Sequence, residues 1–226
     1  MIVSSMTLDE VAAALHKDVV ELQRHVAARY WEAERRHRKT GKGVMQQVGE
    51  YTSTALIQWT YVVCISTTKT TLYPMAWYFT QQGIHAFQIE AEGPSTYLRP
   101  HVLDRYRQRF FPHADVLEAL REMHKRNYDK ASQPREYKGK PAIASAVEDG
   151  YLLGELVNKG TIVNFHTFYD VKMGAKEAIL RDMRQMLEIR RYLAATNPRI
   201  HDNRSTNYVN WGQGFPIRLE KLHKAA

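Results

Sequence analysis

"YLLGELVNKGTIVNFHTFYD", residues 151–170, decides the fold class. Two runs rich in leucine, β-branched and aromatic residues flank Asn158-Lys159-Gly160, whose glycine suits the left-handed position of a three-residue turn. The composition predicts an antiparallel hairpin that pairs Val157 with Thr161, Gly154 with Asn164 and Leu152 with His166. Alternation then places Thr161, Val163, Phe165, Thr167 and Tyr169 on one face, and Ile162, Asn164, His166, Phe168 and Asp170 on the other. Gly154 opposite Asn164 leaves space on that second face, beside His166. Glu155, on the first face, reads equally as a base or as a solvent-facing carboxylate.

Upstream, from about residue 47 to 92, "TALIQWTYVVCIST", "TLYPMAWYFT" and "IHAFQIEA" have the same β character, with Pro74 marking a bulge or an edge strand. Two helical stretches follow, "YLRPHVLDRYRQRFF" (97–111) and "ADVLEALREMHKRN", broken at Phe111-Pro112-His113. Residues 128–141 are polar and carry two prolines, which reads as a loop. The chain begins with a capping box, Thr7 to Glu10, that opens a long helix. Leu8, Leu15 and Leu22, with Ala12, Val19 and Val26, form one stripe. That stripe buries against its own domain or offers a surface to a second copy or another partner. A further helix is expected over about 175–196. The fold class is therefore α+β: an antiparallel sheet of about five strands with helices packed on it, and a long N-terminal helix. The division expected is an N-terminal helix and basic linker (1–42), an α+β core (43–196) and an irregular tail (197–226).

Composition narrows the function. A chain of 226 residues with 44% hydrophobic residues can bury a core. Its one cysteine, Cys64, between β-branched residues, reads as a buried and inert thiol. One cysteine allows no disulfide framework or cysteine-based zinc cluster, and suits a reducing cytoplasm. No stretch has the apolar length of a membrane span and the N-terminus lacks the look of a signal peptide, so a cytoplasmic protein without membrane contact is expected. No glycine-rich nucleotide motif or nucleophile elbow occurs, and the ten histidines include no pair four residues apart; neither cofactor nor metal is expected. The formal net charge of +8 points to a polyanion, with RNA or other nucleic acid the expected partner. Residues 99–140 hold eleven Lys/Arg against six Asp/Glu, or +5 of that +8. Arg107, Lys125, Arg126, Lys138 and Lys140 are the candidate nucleic-acid contacts there.

Within residues 97–111, His101, Arg105 and Arg109 are four apart and share one helix face. Pro100 sets the helix start, so His101 sits in the first turn, where the positive helix end favours a neutral imidazole and an anionic ligand. A histidine that exchanges a proton and two guanidiniums that grip a phosphate form a minimal kit for metal-free phosphodiester transfer by a 2′-hydroxyl. The same spacing also describes an ordinary charged helix face. His166, beside the space left by Gly154, would be the second acid/base partner, or a histidine hydrogen-bonded at a sheet surface.

The order of strand, Pro-His, His-x-x-x-Arg-x-x-x-Arg helix, second short helix and late "GTIVNFHTFYD" strand resembles small toxin-type domains of the barnase–EndoU–colicin–RelE class of metal-independent ribonucleases. The resemblance spans residues 97–170 and implies an endoribonuclease. It would make His101 the general base or acid, put Arg105 and Arg109 on the phosphate, and have Thr167 assist from the strand. A non-catalytic nucleic-acid-binding or assembly protein is the alternative. The polar loop at 128–141, the long N-terminal helix and the tail depart from the resemblance.

Overall fold

In the computed structural model, the described residues are 2–170 apart from 4, 42 and 138, and beyond them 181, 184, 185, 187, 188 and 215–217. They divide between two compact units, Met1–Ala91 with the C-terminal segment from Gly214, and Glu92–Gln213. The long helix therefore belongs with the first β-rich region rather than standing apart as residues 1–42, and the expected 43–196 core is split.

The first unit opens with helix α1 (Leu8–Thr40), whose capping box is formed: Thr7 accepts from the Glu10 amide while Glu10 accepts from the Thr7 amide. Strands β1 (Met45–Thr52), β2 (Gln58–Ile65), β3 (Thr70–Thr80) and β4 (Gly83–Gln88) follow as an antiparallel meander. Leu15, Val19, Leu22 and Val26 are at most 3% exposed. Packed on β2 and β3, most of the stripe is buried within its own unit. Each such aliphatic side chain contributes about 1.5–3 kcal/mol on burial. Polar contacts fix the helix in register with the sheet. Trp59 Nε1 donates to Asp18 (2.7 Å), Thr54 Oγ1 to Glu21 (2.7 Å) and Thr70 Oγ1 to the buried Glu34 (2.6 Å). Cys64 lies in β2 but is only half-buried.

Pro74 is neither in a bulge nor in an edge strand: β3 lies between β2 and β4. A short strand, β10 (Phe215–Ile217), also pairs β3, at Thr70–Leu72, whereas β4 pairs it from Met75 on. The Pro74 carbonyl accepts from Ile89, so its missing N–H points to that same side, between the start of β10 and the end of β4. The expected irregular tail thus includes a strand; the rest of 197–226, and most of the helix expected over 175–196, lie outside the described residues. Helical backbone is present at 181, 184, 185, 187 and 188.

The second unit holds β5 (Ser95–Leu98), α2 (Pro100–Phe110), α3 (Val116–Asn127), β6 (Ala131–Tyr137), β7 (Lys140–Val147), β8 (Gly150–Val157) and β9 (Ile162–Asp170). Its strands lie in the order β5-β9-β8-β7-β6, with β5 and β9 parallel. The class is α+β as expected, but the strands number ten among the described residues rather than about five, and their pairing is mixed rather than antiparallel. Residues 128–141 are mostly not a loop. Pro134, Arg135 and Glu136 are the exposed part of β6, an edge strand, where prolines and charges are tolerated because one side makes no ladder bonds.

The hairpin forms, with a different register. Its connection is four residues, so Val157 pairs with Ile162 and Glu155 with Asn164. Gly154 then opposes Phe165 while Leu153 opposes Thr167, which leaves His166 as the extra residue of a β-bulge. The alternation expected from the sequence is therefore broken at His166.

A buried polar hub holds the two helices on this sheet. Asp149, in the β7–β8 turn, accepts from the Tyr106 hydroxyl of α2 (2.6 Å), from Asn127 Nδ2 of α3 (2.9 Å) and from Arg126. Its own amide donates to Asn127 Oδ1 (3.0 Å). Burial, and then the bond to Asp149, push the Tyr106 phenol far above its ordinary pKa. No helix among the described residues is long and apolar enough to cross a membrane.

Candidate functional site

β5 pairs β9 only over Ile162–Phe165, so from His166 onward that edge of β9 has no strand beside it among the described residues. α2 starts two residues after β5 ends and brings its basic row to this open edge. His101 Nε2 meets the His166 carbonyl oxygen. Arg105 Nη1 donates to Thr167 Oγ1 (2.8 Å), and Arg109 Nη1 donates to the Phe168 carbonyl (2.8 Å) with its Nε 3.6 Å from Asp170. One turn of α2 thus serves each next position of β9. His101 and Arg109 thus supply donors to carbonyls that a neighbouring strand would otherwise satisfy.

The bulge sets the chemistry at the top of the row. A carbonyl only accepts, so His101 Nε2 must carry a proton, and Nδ1 is the nitrogen left to exchange one. The His166 ring, half-buried, has Nε2 3.6 Å from Glu155 Oε1. Burial lowers its pKa below the ordinary 6.5; Glu155 acts in the opposite direction, while Arg99 and His101 lower it further. Arg99, at the N-cap of α2, donates from Nε to Oδ1 of the buried Asn164 (2.9 Å). The imidazole of His101, the guanidiniums of Arg99 and Arg105 and the carboxylate of Glu155 are thus each held by a residue of β9 between Asn164 and Thr167.

Of the residues expected to act together, His101, Arg105, His166 and Thr167 are brought to one place, and Arg109 stands at the far end of the same row. Arg99 and Asn164 were missed. Arg99 precedes Pro100 and falls outside the four-residue spacing, and its partner lies 65 positions away. Glu155 reaches the site although the sequence placed it on the face opposite His166; the bulge removes that separation.

Three of the proposed nucleic-acid contacts have partners within the protein. Arg107 Nη1 lies 3.5 Å from the Ala114 carbonyl, and Lys125 Nζ is 3.1 Å from Glu122. Arg126 is tied to Asp149 and lies over the Phe110 ring. Lys140 is exposed at the start of β7, on the β6–β7 hairpin, and Lys138 lies outside the described residues. Among the described residues no three His, Cys, Asp or Glu side chains are grouped to hold a metal ion. No family model matches the chain, and comparisons with curated proteins and with solved structures found no significant match.

Proposed function

We propose that this site cleaves RNA by metal-independent 2′-hydroxyl transfer. The observation that carries the reading is the contact of the His101 ring with the backbone carbonyl of His166, from elements far apart in sequence, next to the Arg105–Thr167 bond. His166, kept neutral by burial, takes the proton of a ribose 2′-hydroxyl. The resulting oxygen attacks the adjacent phosphorus and the bond to the 5′-oxygen breaks. His101 hands a proton from Nδ1 to that departing oxygen, while the His166 carbonyl holds its ring through Nε2. The products are a 2′,3′-cyclic phosphate and a free 5′-hydroxyl. Arg105 and the Thr167 hydroxyl face the non-bridging oxygens, where negative charge grows as the phosphorus becomes five-coordinate.

The test is incubation of end-labelled tRNA and mRNA with pure protein in excess EDTA, beside His101→Ala. Wild type is expected to cut and leave cyclic phosphate ends. His101→Ala is expected to lose roughly 10²–10⁴-fold in rate while its RNA affinity stays within about twofold, because a general acid adds little to ground-state binding. No cleavage by either protein across several RNAs sinks the reading. If RNA affinity then falls steeply with salt and depends only on the arginines, the protein is a nucleic-acid-binding module.

A further inference from the structure

Arg38 faces the carboxylate of Glu34, Arg109 that of Asp170 and Arg126 that of Asp149. Arg99 and Arg105 are held differently. Each is bound to a neutral oxygen of β9, the amide of Asn164 for Arg99 and the hydroxyl of Thr167 for Arg105. A neutral acceptor fixes a guanidinium without cancelling its charge. For Arg99 the bond uses Nε, which leaves the terminal Nη1 and Nη2 pair, the fork that matches two phosphate oxygens, without a partner among the described residues. The acceptor is rigid, since Asn164 is only 3% exposed and lies in the part of β9 flanked by both β5 and β8. The fork stands close enough to His166 to influence its charge.

We infer that Arg99, oriented by Asn164, is the principal binding group for the scissile phosphodiester of an RNA strand, with Arg105 as its second cation. This rests on the ribonuclease reading for the identity of the strand, but the anion subsite itself stands on geometry alone. Arg109, neutralised by Asp170 and spent on the Phe168 carbonyl, is a positioning residue for α2. Asparagine at 164 is required rather than aspartate: a carboxylate there would hold Arg99 equally well while removing the charge that a phosphate needs.

The experiment is an NMR titration of the full-length protein in EDTA, following the His101 and His166 ring protons. The probes are inorganic phosphate and a dinucleotide whose 2′-deoxy sugar prevents cleavage. In wild type both probes are expected to shift the two rings, the dinucleotide at lower concentration. Arg99→Gln is expected to weaken both by about tenfold or more, the loss of charge-assisted hydrogen bonds. Arg99→Lys, which keeps the charge without the fork, is expected to fall between. Should Arg99→Gln not fold, Asn164→Asp tests the same point and is expected to weaken both probes. Rings that do not respond in wild type, or an Arg99→Gln protein that binds both probes as wild type does, overturn the assignment. Phosphate binding without dinucleotide binding overturns the RNA identity of the ligand. Arg99-dependent binding of both probes, without RNA cleavage in the EDTA assay, retains the subsite and removes only the catalytic reading.

Discussion

At the scale of single residues, the cluster turns on how His166 is charged. Burial outweighs the Glu155 carboxylate and keeps the folded-state pKa of the imidazole below 6.5. A base active in its neutral form loses rate as it is protonated, so the acid limb of the kcat/KM profile is expected below pH 6.5. Glu155→Gln removes the one group that raises this pKa, so the limb is expected to move to lower pH; a limb that stays put or moves up would show that another group is the base. The residue scale is also where the sequence was least informative. The row His101–Arg105–Arg109 was visible because helical periodicity links near neighbours. Arg99 was not, because its meaning comes from Asn164 on a parallel strand. Asp149, which no motif or spacing marks, is the acceptor for three side chains.

At the scale of elements, β9 depends on its bulge and α2 on the Asp149 hub. A Cβ on Gly154 would lie 2.3 Å from the Asn164 carbonyl oxygen and 2.8 Å from the Phe165 Cα, both backbone atoms that cannot swing aside. Gly154→Ala is therefore expected to cost about 1–3 kcal/mol, read as a lower urea midpoint. Asp149→Ala strands Tyr106, Arg126 and Asn127 at once and is expected to cost about 3–5 kcal/mol by the same assay. A shift under about 1 kcal/mol would show that water replaces the carboxylate without loss. Long, strongly patterned elements were legible: the capped helix, the two inner strands of the first unit and the hairpin. β6 was read as a loop because an edge strand is built from residues that elsewhere break strands. β5, with four residues, is too short to show a period, and an extra residue in β9 leaves no mark on composition.

At the scale of the whole molecule, histidines make both units sensitive to acid. His16, His25 and His85 in the first unit and His166 in the second all have pKa values lowered from 6.5, chiefly by burial. Unfolding lets each take up a proton more readily. The stability they confer is thus fully present above about pH 6.5 and is lost as pH falls from there through the folded-state values. Thermal melting is expected to drop between pH 7 and 5 by more than ordinary carboxylate titration gives, and His85→Gln is expected to flatten that slope. An unchanged slope would mean that these rings are hydrated in solution.

The contacts between α2 and β9 join residues 59 to 65 positions apart. During synthesis the helix therefore leaves the ribosome well before its strand does, by several seconds at about 5–20 residues per second. Until Asp170 has followed, Arg99 has no anchor, His101 no carbonyl and His166 no place in the chain. A nascent protein thus passes close to ribosomal RNA with the residues of its basic row already present and their partners on β9 still to come. Among the described residues β9 is the last strand of the second unit's sheet in chain order, so the cluster around the bulge assembles late in synthesis.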